Sequence, residues 1–258
     1  MKKGIDVSEH NGLINWEQVQ PHVDFVMIRA GYGQGTIDKQ FRRNITECNR
    51  LGIPVGVYWF SYATDVAAAK REANFCLEAI KPYKVDYPVS FDFEYDSVSY
   101  ARKKGVTISK VLSSEMAKAF CGAVESAGYH ALNYSNRDYL ANYFDATVKY
   151  DVWLAEWPAS VDLTKEKPGC VMWQYSSKGN VPGISGYVDM DVCYKEYEEE
   201  NEMRYNTLSE IPSWGQDAVK KLILAGRLNG KTGNKDAQGY PTDLDLSEDM
   251  VRMIVMMG

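Results

Sequence analysis

Histidine is scarce in this chain: three in 258 residues, at positions 10, 22 and 130. There is no His-x-x-x-His pair and no cysteine at zinc spacing from any of them, which argues against a zinc hydrolase. The five cysteines, at 48, 76, 121, 170 and 193, include no Cys-x-x-Cys and are odd in number. Cys48, Cys76 and Cys121 fall on the apolar faces of expected helices and read as small buried hydrophobes in a reducing compartment. Positive charge is in deficit, 29 Lys and Arg against 35 Asp and Glu for a net charge of −6, so no nucleic acid partner held by bulk electrostatics is expected. No apolar run approaches the length of a membrane span. The opening residues, Met-Lys-Lys-Gly-Ile-Asp-Val-Ser-Glu, turn acidic at once, so the expectation is synthesis without a signal peptide.

Aromatic residues are plentiful, with 18 Tyr and 6 Trp in a chain that is 45% hydrophobic. Core packing accounts for most of them, and the surplus suits a surface that stacks on sugars. The length fits one large domain, or one large and one small.

Residues 88–96, Pro-Val-Ser-Phe-Asp-Phe-Glu-Tyr-Asp, alternate Val89, Phe91, Phe93 and Tyr95 with Ser90, Asp92, Glu94 and Asp96, the period-2 pattern of a strand. On such a strand Asp92 and Glu94 share one face, with Cβ atoms about 6.5–7 Å apart. Two carboxyls that close, in partly dry surroundings, do not both ionise readily, so one keeps its proton near neutral pH. Glycoside hydrolysis uses such a pair: an acid for the leaving oxygen and a carboxylate for the developing cation. A solvated acidic strand end is the plain alternative for an isolated Asp-x-Glu.

Strand patterns are expected over 4–7, 24–30, 53–60, 88–94, 129–134, 150–157, 170–175 and 187–192. Helical faces are expected over 38–51, 65–80, from 109 to just before Gly128, and over 136–144. Gly31-Tyr-Gly-Gln-Gly35 has Thr36 where a dinucleotide loop wants its third glycine, so it reads as a tight turn. β-α alternation covers the first two-thirds, and strands joined by loops follow. The fold class is therefore α/β: an irregular, flattened (β/α)8-like barrel with reduced helices in its last third. A parallel barrel carries its active site at the C-terminal strand ends. There the pattern gathers Asp6, Tyr58, Asp92, Glu94, Tyr134, Glu156, Trp157, Gln174, Tyr175, Asp189 and Asp191.

Seven co-linear motifs resemble glycoside hydrolase family 25: Asp6-Val-Ser-Glu-His-Asn-Gly12, Phe25-Val-Met-Ile-Arg-Ala-Gly-Tyr-Gly33, Gly56-Val-Tyr-Trp-Phe60, Asp92-Phe-Glu94, Tyr150-Asp-Val-Trp-Leu-Ala-Glu-Trp157, Trp173-Gln-Tyr175 and Val188-Asp-Met-Asp191. The family comprises lysozymes that cut the β-1,4 bond after N-acetylmuramic acid in bacterial peptidoglycan, many of them phage endolysins. The resemblance implies Glu94 as general acid, Asp92 as nucleophile or as the carboxylate that orients the substrate's acetamido group, and Asp6 and Asp189 completing the acidic site. It implies Tyr58, Tyr62, Tyr134, Trp157, Gln174 and Tyr175 as sugar contacts, with no metal or other cofactor. Asp191 departs from the family pattern, which often has Asn there, and the resemblance gives it no direct role. An endolysin without a signal peptide would be cytoplasmic at synthesis and act on the wall after release. Two other readings use the same acidic cleft: a Mg²⁺-dependent phosphodiesterase and a non-catalytic wall-binding protein.

Residues 1–197 are thus expected to form the catalytic domain and 198–202, Glu-Glu-Glu-Asn-Glu, an acidic linker. Residues 203–258 are expected to form a small, mainly helical module that binds the cell wall or self-associates. In it Ser213 precedes one amphipathic helix, and Ser247 caps a final one that is apolar almost all round. The three consecutive glutamates require purine-rich codons just upstream of Met203. In a bacterial or phage gene that arrangement reads as an internal start, whose product would be free copies of the module.

Overall fold

The computed structural model describes residues 1–197 and 204–257, which fall into two compact units, Met1–Tyr197 and Glu198–Gly258. The acidic linker and Met203 lie outside the described residues.

In the first unit the strands are β1 (Lys2–Val7), β2 (Phe25–Tyr32), β3 (Thr36–Ile37), β4 (Val55–Phe60), β5 (Val89–Asp92), β6 (Ala131–Asn136), β7 (Asp151–Ala155), β8 (Met172–Gly179) and β9 (Val188–Cys193). The helices are α1 (Trp16–Val19), α2 (Phe41–Leu51), α3 (Val66–Ile80), α4 (Tyr95–Lys103), α5 (Lys110–Ser126) and α6 (Arg137–Asn142). Local chemistry starts and stops the long ones. Asp65 Oδ1 accepts from Ala68 N at 2.7 Å to open α3, Ser109 Oγ accepts from Leu112 N at 3.1 Å to open α5, and Gly52, at φ 68°, ends α2. The glycine-rich turn is a tight hairpin joining β2 to the short β3.

Eight strands close into a barrel in the order β1-β9-β8-β7-β6-β5-β4-β2, with β2 pairing back to β1 and β3 hanging on β2. The neighbours from β1 through β2, β4, β5, β6 and β7 to β8 are parallel. β9 corrects the all-parallel expectation, since it runs antiparallel to both β8 and β1. Its connection, residues 180–187, is shorter than the dozen or so residues a parallel crossover needs, so β8 and β9 can only form a hairpin. From β7 onward no helix covers the barrel in this unit, as the loss of helical period indicated.

Strand alternation divides the apolar residues into two layers. Outward residues such as Val26, Ile28, Val57, Trp59, Val89 and Phe91 pack with Ile45, Ala69, Ala73, Cys76, Met116, Phe120 and Val124 of the helices. Inward residues Phe25, Met27, Leu132, Tyr134, Trp153, Met172 and Cys193 fill the barrel together with Tyr197. Two inward glycines make room for them. A Cβ on Gly4 would lie 2.5 Å from the Phe25 ring, and one on Gly56 would lie 2.4 Å from Met27 Sδ and 2.8 Å from the Pro88 carbonyl. All five cysteines are free, and burial raises each thiol above its ordinary range, to about 11 at Cys170 and about 12 at Cys193. They are packing groups rather than nucleophiles.

The second unit pairs β10 (Arg204–Tyr205) with β11 (Leu246–Ser247) and packs α7 (Ser213–Leu224) against α8 (Glu248–Met257). Tyr205, Ile211, Val219, Leu244, Leu246 and Val251 form its core. Ser247 Oγ accepts from Met250 N at 3.1 Å, the expected cap of the last helix. Trp214, Leu224, Met250, Met253, Val255 and Met256 stay exposed.

Candidate active site

β5 ends at Asp92, two residues before the expected strand end, and Glu94 is the N-cap of α4. Glu94 N donates to Ser97 Oγ at 3.0 Å, which turns the chain into the helix. Because Glu94 keeps extended backbone angles (φ −128°, ψ −168°), its side chain still follows Asp92 on the inner face. The two carboxyls bear on each other's ionisation, and both are held above the ordinary carboxylate range. Asp92 is 4% exposed, and no N–H or O–H group reaches its Oδ1. Burial first, then the charge of Glu94, pushes Asp92 well above the ordinary carboxylate range, while Arg29 pulls the other way. Glu94 is raised as well, chiefly by burial.

Asp6, on β1, sits level with Asp189 in the antiparallel ladder. The reversed β9 explains how a residue near the start of its strand reaches the C-terminal ends of the others. Asp6 Oδ2 accepts from Gln174 Nε2 at 2.7 Å, and Gln174 Oε1 in turn accepts from Tyr134 Oη and Trp157 Nε1, both at 3.1 Å. Burial raises Asp6 well above its ordinary value, with the charges of Asp191 and Asp189 adding to it, and raises Asp189 to about 6. Tyr58 leans edge-on against Trp153, and its hydroxyl faces the Val7 carbonyl at 3.5 Å.

Asp6, Asp92, Glu94, Asp189, Tyr58, Tyr134, Trp157 and Gln174 therefore gather at one end of the barrel. Tyr62 packs with Phe60 and Tyr100 at ring-centroid distances of 5.1 and 4.9 Å. Its loop is held by the buried Glu72, which accepts from Ser61 Oγ (2.5 Å), Tyr62 N (3.1 Å) and Gln34 Nε2 (2.9 Å). Trp157, 57% exposed, offers its ring to solvent while its N–H is tied inward. Two residues are placed elsewhere. Tyr175 packs against Trp173 in the outer cluster with Leu154 and Val192. Glu156 is engaged by Arg137 and Lys167 at 3.1 and 2.9 Å, and these bonds hold its carboxyl below the ordinary range.

Arg29 and Trp153 belong to the site without having been singled out from the sequence. Arg29 donates to Asp38 at 2.8 Å and Glu9 at 3.2 Å and stands near Asp92. One cation inside the otherwise apolar run Phe25–Ala30 was the available signal. Trp153 donates to the buried Asp191 at 2.8 Å.

A closed barrel whose C-terminal strand ends present a buried carboxyl pair, further acids and several aromatics has the equipment of a glycoside hydrolase. The family model described as glycosyl hydrolases family 25 matches residues 5–184, and the chain belongs to that family. Among solved structures, the modular autolysin LytC of Streptococcus pneumoniae is 34% identical, with a TM-score of 0.64 over 75% of this chain and 46% of that one. The CTP1L endolysin is 20% identical, with a TM-score of 0.63 over 100% of this chain and 98% of that one. The autolytic lysozyme of Clostridium acetobutylicum is 26% identical over 191 residues, 73% of this chain and 55% of that protein. The chain thus spans about half the length of two of these relatives.

Proposed function

We propose that the chain is a peptidoglycan muramidase of the endolysin type, with Glu94 as general acid and Asp92 as the carboxylate that meets the developing cation. The buried carboxyl pair at the end of β5, raised above the ordinary carboxylate range, carries this reading. At rest the pair holds one proton. A sugar acetamido N–H or an anomeric cation arriving at Asp92 favours its ionised form, and the proton then belongs to Glu94, which passes it to the leaving oxygen. With these roles the outcome is net retention, by attack of Asp92 or of the substrate's own acetamido group. Asp6 and Asp189 line the rest of the floor, and Tyr62, Tyr134 and Trp157 contact the sugars. The relatives support the substrate: one is named an autolytic lysozyme, and LytC has been solved with a synthetic peptidoglycan ligand.

Digestion of purified cell walls, with mass spectrometry of the new ends, is expected to show N-acetylmuramic acid at the reducing end. N-acetylglucosamine there, or new free amino groups, would overturn the assignment. Activity unaffected by EDTA separates it from the Mg²⁺-dependent phosphodiesterase, and turnover itself separates it from a pure wall binder. In the endolysin reading the enzyme is cytoplasmic when made and meets the wall once the membrane is breached.

For the second unit we propose self-association through its exposed apolar residues, Met256 being 79% exposed, with wall binding as the role of the assembled module. CTP1L, which aligns along its whole length, is described as regulated by a secondary translation product. An internal start at Met203 would supply free modules here and raise avidity for the wall. Expression of the untagged gene should yield a second, shorter species by intact mass, lost in Met203→Ala, and a complex larger than a monomer on sizing. One full-length monomeric species, unchanged by that substitution, would dispose of the idea.

A further inference from the structure

Glu72 belongs to α3 and is 0% exposed, and its carboxyl ties together two loops at the rim of the cleft. Oε1 accepts from Tyr62 N at 3.1 Å in the loop after β4, and from Gln34 Nε2 at 2.9 Å in the β2–β3 hairpin. Oε2 accepts from Ser61 Oγ at 2.5 Å. Ser61 extends the connection both ways. Its Oγ accepts from Ala63 N at 3.2 Å, and its N–H donates to the Asp92 carbonyl at 2.7 Å. Burial raises the Glu72 carboxyl to about 7, although these bonds and Arg71 pull it down. A leucine would fill similar space without that cost. What the carboxyl adds is a set of acceptors for the donors of the two loops.

The side chain these bonds hold in place is that of Tyr62. Its ring lies against the hairpin at Gly33, where an added Cβ would come within 3.2 Å of Tyr62 Cδ2, and it packs on Phe60 and Tyr100. Gly33 is itself fixed: its N–H donates to the Phe60 carbonyl at 2.9 Å, and its carbonyl accepts from Trp59 Nε1 at 3.0 Å. We propose that Glu72 is a positioning residue of the cleft, which locks the loop after β4 to the β2–β3 hairpin and so fixes the Tyr62 ring relative to Asp92 for the sugar. Its effect passes through Tyr62 and belongs to substrate binding rather than to the chemical step. The inference rests on the muramidase reading, in which Tyr62 contacts the sugar.

The test uses the full chain and a soluble, uncross-linked strand of alternating N-acetylglucosamine and N-acetylmuramic acid. Glu72→Leu leaves three donors without their acceptor and should raise KM at least about tenfold, with kcat within about threefold of the parent. Glu72→Gln keeps an oxygen for Tyr62 N and Gln34 Nε2, so its KM should stay within about threefold of the parent. In a Tyr62→Ala background Glu72→Leu should change KM by less than about twofold, because the group it positions is gone. A fall in kcat at unchanged KM, a Gln variant as impaired as Leu, or losses that multiply in the double variant would each overturn the proposal. If Glu72→Leu does not fold, Gln34→Ala at its exposed position takes its place. KM should then rise about threefold, again only while Tyr62 is present. Hydrogen exchange at the Tyr62 amide needs no turnover, and its protection should fall at least about threefold in either variant. Protection equal to the parent's would overturn the anchor. Lost protection in a chain that cleaves no glycan strand would keep the anchor and overturn the muramidase reading instead.

Discussion

Glu94→Gln should abolish wall cleavage, with turnover down at least about 10²–10⁴-fold, because an amide has no proton to give the leaving oxygen. The fold should survive. The bond that starts α4 uses the backbone N–H of residue 94, not its carboxyl, and Gln has the same shape. The variant should even melt slightly higher near neutral pH, since a carboxyl that burial raises is a cost to the fold that the amide removes. Turbidity of wall suspensions and a thermal melt of one preparation report both outcomes. Near-parental activity from a clean preparation would falsify Glu94 as the acid.

The features that place Glu94 were unevenly legible in the sequence. Alternation from Val89 to Tyr95 located the pair and its inner face correctly. It ran the strand too far because it cannot see where ladder partners end: β5 pairs with β4 and β6 only through Asp92. α4 was missed because Tyr95-Asp-Ser-Val-Ser99 is poor in strong helix formers. The helix depends instead on the cap at Glu94 and on packing. Most of the strands and long helices announced themselves through period and caps, as did the loss of helices from β7 onward. The reversal of β9 is implied by a short connection, but its consequence depends on barrel closure, which no local pattern encodes. Gln174 and Asp6 meet from positions 168 residues apart. The same limit hid the bond of Asp191 to Trp153, which comes from another strand. Motif order could name candidate residues, whereas their bonding required the closed barrel.

The other large effect is expected at Asp92. Asp92→Asn keeps a group of the same size at the end of β5 but cannot become an anion as positive charge builds at the anomeric carbon. Loss of one such preorganised contact costs about 10²–10³-fold in turnover, and more if Asp92 itself forms the covalent bond. The substitution also acts on its neighbour. With the negative partner gone, Glu94 loses the neighbouring carboxyl that bears on its ionisation, and the activity that remains should follow a single titration rather than a bell. Product anomers read by NMR within the first minutes should show net retention for the parent chain. A parent that inverts would remove Asp92 as nucleophile and also the acetamido route. An Asn variant within about tenfold of the parent, with an unchanged pH profile, would show that Asp92 carries no charge that the reaction needs.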